Sequence, residues 1–204
     1  IARYENPNKN ISLWANSFGS HIVTAYLLQY NPKDVASIIY TSPGFFPKLP
    51  LPFTIPELID SAPGTYFQSP IPETNKDNGA ALFTSQLPYL KAIKKDRRSL
   101  REVTREFYFN ISTIKKFNFS TEPANEALLS QYKRFYLMVN EDPMMDNVKT
   151  LEYIKKNVVN ATAKFYSGGE DHRHFLAFTD DSLMMLEDVD DYLNGRYDLD
   201  TETL

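Results

Sequence analysis

The chain has 204 residues, 42% of them apolar, which is enough to bury a core and suits one domain or one domain carrying an insertion. Its 26 acidic and 22 basic residues are spread along the whole length for a net charge of -4, so no basic stripe marks a nucleic-acid partner. With no cysteine and only three histidines, disulfides and thiolate metal sites are excluded, and neither a metal nor a cofactor is expected.

Taken in chain order, Asn10 to Ser17 is a short apolar stretch of strand type that passes without a gap into Phe18 to Tyr30, where apolar residues recur at helical spacing. Asn31-Pro32 closes that helix, and Val35 to Thr41 reads as a second, buried strand ending at Ser42-Pro43-Gly44. Strand, helix and strand form one βαβ unit with parallel strands. From Phe45 the composition changes, because seven of the 13 prolines lie between Pro47 and Pro72 among Phe, Leu and Ile, where regular strands are not expected to persist. Between Ala80 and Phe109 the spacing turns helical through Leu82, Leu87, Leu90, Ile93, Leu100, Val103 and Phe107. Residues 45–128 are therefore read as a mainly helical, Pro-rich insertion between two parts of a core, 1–44 and 129–197. In the second part, Arg134 to Val139 and Ala161 to Tyr166 read as strands. Asp146 to Lys156 and Asp181 to Leu193 read as helices, the last stopped by Gly195, and the acidic tail 198–204 is expected to fray. Strands alternating with helices predict an α/β fold with a parallel sheet.

Three short patterns carry chemistry. Trp14-Ala15-Asn16-Ser17-Phe18-Gly19-Ser20 sits at a strand-to-helix junction with small residues two before and two after the serine. Val139-Asn140-Glu141-Asp142-Pro143 follows a strand directly, and Ser167-Gly-Gly-Glu-Asp-His172-Arg-His174-Phe175 follows the last one. A serine hydroxyl is a weak nucleophile until an imidazole takes its proton, and the imidazole needs a carboxylate to fix its tautomer and stabilise its cation. The simpler readings are a helix-capping serine, an ordinary Asp-Pro turn and solvent-facing histidines.

Together, in this order, the three patterns resemble the nucleophile elbow, acid loop and histidine loop of the α/β-hydrolase superfamily of esterases, lipases and lysophospholipases, from the elbow onward. Ala15 stands where that family usually has glycine, and Ser20 where a glycine often follows. The resemblance implies Ser17 as nucleophile, Asp142 as acid and the Phe18 backbone N-H as one oxyanion donor. Two histidines compete for the base. Distance from the strand end and the local pattern His172-x-x-Phe175 favour His172, while distance to the final helix favours His174. Asp146 is expected to cap the following helix, and His21 matches no motif position and is expected to pack. A metal site from His172, His174 and Asp171 has no established ligand spacing.

The resemblance implies hydrolysis of carboxylic esters through an acyl-enzyme, with small-molecule or lipid-like esters of the monoacylglycerol or lysophospholipid class as substrate. Phe45, Phe46 and Leu49 of the apolar insertion are its expected contacts. A peptidase or thioesterase using the same three residues is an alternative, and so is a non-catalytic interaction protein on the same scaffold. The family's earlier strands and second oxyanion donor match nothing in the chain. The upstream half of the fold is expected on another chain or removed, and the chain alone is expected to be an incomplete enzyme. No address is legible in the sequence, which starts at Ile1. Nor is there a run of 18 apolar residues, so a soluble protein is expected, cytoplasmic rather than secreted, with membrane-surface contact unsupported. Sequons at Asn10, Asn110, Asn118 and Asn160 permit glycosylation only in a secreted protein.

Overall fold

The computed structural model describes residues 2–5, 9–69, 79–98, 101–119 and 123–197. After a single turn, α1 (Ala2–Glu5), come strand β1 (Ile11–Asn16), helix α2 (Gly19–Tyr30) and strand β2 (Val35–Thr41). α2 stops because Asn31 takes a left-handed conformation, φ +43°, ahead of Pro32. In the intervening segment lie α3 (Ile55–Asp60), β3 (Tyr66–Gln68), α4 (Leu87–Lys95), β4 (Glu102–Thr104), α5 (Arg105–Asn118) and α6 (Pro123–Leu129). They are followed by β5 (Lys133–Val139), α7 (Asn147–Asn157), β6 (Ala161–Tyr166) and α8 (Ser182–Leu193). Asp146 caps α7 as expected, its side chain accepting from Lys149 N at 3.0 Å.

The four long strands form one parallel sheet in the order β1-β2-β5-β6. Both faces are covered, which explains the uninterrupted apolar runs of β2 and β5. On one face Ile38, Tyr40, Tyr136 and Met138 pack with Leu27 and Leu28 of α2 and Ile154 of α7. On the other, Ile39, Phe135, Leu137 and Val139 pack with Leu176 and with Met185 and Val189 of α8. Each such side chain contributes about 1.5–3 kcal/mol by leaving water.

The segment 45–128 differs from the sequence expectation in one respect. Its helical spacing is broken by a two-stranded antiparallel ribbon that pairs Tyr66 with Thr104 and Gln68 with Glu102. Val103 therefore lies on a strand, not on a helix face. α4 ends where Asp96 turns extended and its carboxylate accepts from Arg98 N at 2.9 Å. α3, by contrast, begins with a full capping box between Thr54 and Glu57. Leu100, Pro70, Pro72 and the acidic tail 198–204 fall outside the described residues.

Candidate active site

Three loops at the C-terminal ends of β1, β5 and β6 converge, as ligand-binding loops do in open parallel sheets. Ser17 follows β1 directly in a left-handed conformation, φ +49°, that a side chain rarely adopts. Hydrogen bonds fix the turn on both sides: Ser17 N donates to Thr41 O at 2.9 Å, while Ser20 N and Gly44 N donate to Ser17 O at 3.0 and 2.9 Å. Ala15 and Gly19 do lie side by side under this turn. A methyl added at Gly19 would meet Ala15 Cβ at a comfortable 4.0 Å, however, so Gly19 is not where space is tightest. The tight position is Gly44, where an added Cβ would lie 2.9 Å from Phe18 N and from Ser17 C. Gly44 was legible in the sequence only as the end of a turn.

His174 Nε2 lies 2.8 Å from Ser17 Oγ, and its Nδ1 lies 2.7 Å from Asp142 Oδ2. The Asp142 carboxylate can only accept, so Nδ1 carries the proton and Nε2 turns its lone pair to the Ser17 hydroxyl. The other carboxylate oxygen of Asp142 accepts from Met144 N at 2.8 Å and Met145 N at 3.0 Å, which fixes its orientation. Asp142 and His174 are both 0% exposed, whereas Ser17 is partly open. Two further bonds steady the imidazole from the main chain. Ser42 Oγ donates to His174 O at 2.5 Å, and His174 N donates to Leu82 O at 2.9 Å, so a strand end and the 45–128 segment grip the same residue.

His172, preferred on sequence grounds, does not face Ser17. It is 38% exposed, its Nε2 lies 3.4 Å from Glu141, and its Nδ1 lies 3.1 Å from Ser167 O. The preference assumed a loop leading straight out of β6. Instead Gly168 and Gly169, at φ +74° and +81°, curl it back, and Arg173 N closes the curl onto Gly168 O at 2.7 Å. Two more residues are needed to reach Ser17, so His174 arrives there. Asp181 holds the curl with one carboxylate oxygen, which accepts from Ser167 Oγ at 2.8 Å and Gly168 N at 2.6 Å. In the sequence Asp181 showed only as a helix start.

Of the expected substrate contacts, Phe45 points the other way. It is 5% exposed and packs in the core edge-on to His21 and Phe119, because the chain turns inward after Gly44. Phe46 is half-buried and stacks on Phe119 at 5.3 Å between ring centres, so it too is packing, while Leu49 is half-buried. The aromatic that the 45–128 segment brings beside the Ser17 turn is Phe107 of α5, its ring 6.0 Å from that of Phe18. The Phe18 backbone N-H, at the start of α2, has no acceptor among the described residues. No group of three or more His, Cys, Asp or Glu among the described residues is arranged to hold a metal ion.

No family model and no curated protein matches this sequence. Solved structures do. A monoacylglycerol lipase of Paleococcus ferrophilus aligns with a TM-score of 0.70 at 11% identity over 96% of this chain and 72% of its own. A soluble variant of monoglyceride lipase from Saccharomyces cerevisiae, solved with a substrate analogue, gives 0.72 at 15% identity over 96% and 65%. A pyrethroid hydrolase gives 0.56 at 12% identity over 97% and 75%. This chain therefore spans a little under two thirds of the yeast structure and somewhat more of the other two. At these identities the likeness establishes the fold alone: the parallel four-stranded sheet and its helices are arranged as in these α/β-hydrolase structures.

Proposed function

We propose that this chain carries the catalytic residues of a serine hydrolase that cleaves carboxylic esters through an acyl-enzyme. The observation that carries the reading is the unbroken hydrogen-bonded line from Ser17 Oγ through His174 to Asp142. Ser17 Oγ attacks the ester carbonyl as its proton passes to His174 Nε2, and the Phe18 N-H receives the developing oxyanion. The imidazolium, held by Asp142, then protonates the departing alcohol. Water repeats the sequence on the acyl-enzyme and releases the acid. Lipid-like esters are the proposed substrate class, supported by the aromatic approach that Phe18 and Phe107 form beside Ser17. In this reading residues 45–128 form a cap, supported by their contacts with the elbow at Phe18 and with the base loop through Leu82 and Phe83.

The test is fluorophosphonate labelling with peptide mapping, followed by turnover of short- and long-chain p-nitrophenyl esters. Label is expected on Ser17 alone and should vanish, with turnover, in Ser17→Ala. Label on another serine, or none, overturns the reading. Faster turnover of thioester or peptide substrates would move the assignment within serine hydrolases.

A further inference from the structure

α5 of the 45–128 segment ends inside the protein, and its last residue, Asn118, is buried against α2. Asn118 Nδ2 lies 3.2 Å from His21 Nδ1 and 2.9 Å from the His21 carbonyl oxygen. On the far side of the ring, His21 Nε2 lies 3.1 Å from Gly44 O. These partners fix every proton. Gly44 O can only accept, so Nε2 carries the hydrogen; Nδ1 must then accept, and the Asn118 amide has one hydrogen for it and one for the carbonyl. Gly44 continues the line, since its own N-H donates to Ser17 O at 2.9 Å and its Cα leaves no room beside Phe18 N.

We propose that Asn118 and His21 form a latch that positions the Ser17 turn through Gly44, so that the nucleophile and the Phe18 N-H are aimed only when α5 is seated. The proposal rests on the reading of Ser17 as nucleophile. A left-handed serine persists only where its surroundings over-determine it, and Gly44 N supplies one of the two bonds to Ser17 O. Packing alone does not account for His21. A buried ring between Phe18, Phe45 and Phe119 could be any aromatic, whereas only a group offering a donor at one end and an acceptor at the other serves both Gly44 and Asn118. Burial foremost, and then the nearby Lys115 ammonium, lower the His21 pKa to about 4, which keeps the ring neutral and its two roles distinct at assay pH. His21 is thus a positioning residue and touches no substrate.

The test uses the protein with Asn118→Ala, His21→Asn and His21→Gln, beside Ser17→Ala. It reads p-nitrophenyl acetate turnover and amide exchange in peptides 14–20 and 40–46. Asn118→Ala and His21→Asn, which break the latch at opposite ends, should each lower kcat roughly ten- to hundredfold with KM changed by about twofold or less. Exchange in both peptides should quicken while peptide 133–139 of β5 stays protected. His21→Gln keeps a donor near the Nε2 position and should recover most of the loss. If Asn118→Ala leaves both kcat and exchange as in the parent, the latch is wrong. Should His21→Asn fail to fold, Asn118→Ala carries the test, because it leaves His21 packed. Exchange reads the latch independently of chemistry: turnover that survives Ser17→Ala sinks the hydrolase reading, and unchanged exchange sinks the latch.

Discussion

His172 and His174 are two residues apart and meet opposite surroundings, the first beside exposed Glu141 and the second sealed between Asp142 and Ser17. His174→Ala should lower kcat by at least about a thousandfold, since the serine loses its base. His172→Ala should leave turnover within about threefold, as expected for a surface substitution away from the reacting atoms. A large loss in His172→Ala with little in His174→Ala would reverse the assignment. His21 predicts a pH effect on stability. Its folded pKa, about 4, lies below the unfolded 6.5, so between those values the unfolded chain binds a proton that the folded chain refuses. This contribution is fully present above pH 6.5 and is lost as pH falls towards 4, about 3 kcal/mol in all. The urea midpoint of the parent should fall with acid across that window, and His21→Gln should show a flatter dependence on pH.

The loop that carries His174 depends on an element with no part in the proposed chemistry. Asp181, at the start of α8, gathers Ser167 and Gly168, and Gly168 sits so close to β5 that an added Cβ would lie 2.4 Å from Val139 Cγ1. Asp181→Ala should loosen the curl, lowering kcat about tenfold or more while the sheet stays folded. Unchanged kcat with unchanged near-ultraviolet circular dichroism would show that the glycines shape the loop without help. The same loop explains what the sequence could reveal. β2 and β5 were legible because burial on both faces leaves unbroken runs such as Val35 to Thr41. The placing of Ser17 was legible because it directly follows a strand, and that of Asp142 because only Asn140 and Glu141 separate it from one, leaving little loop whose path could shift either. The choice between two histidines depended on how far Gly168 and Gly169 fold the chain back, a tertiary matter of Val139 and Asp181 that no local pattern carries. The β3-β4 ribbon was hidden for a similar reason, since its two strands are three residues each and are joined only by pairing across the segment.

At the scale of the molecule, β1 pairs on one side only among the described residues, although Ser17 follows it directly. Trp14 on the strand and Ile22 and Tyr26 on α2, the helix that follows it, are exposed. We propose that further strands cover this edge and bring the second oxyanion donor. The 204-residue chain by itself should then turn over esters about a hundred- to thousandfold more slowly than the full-length protein, the usual cost of one missing donor. Equal rates would mean that the chain makes a working site without them. The latch, finally, bears on the order in which the parts assemble. Asn118-Phe119-Ser120 is an acceptor sequence for N-linked glycans, yet both hydrogens of the Asn118 amide are spent on His21 within the core. A sugar can be attached there only while α5 is still undocked, and once attached it keeps α5 from docking. Expressed in a glycosylating host, the protein would record its own folding: molecules modified at Asn118 are those in which the enzyme that adds the sugar arrived before the segment closed.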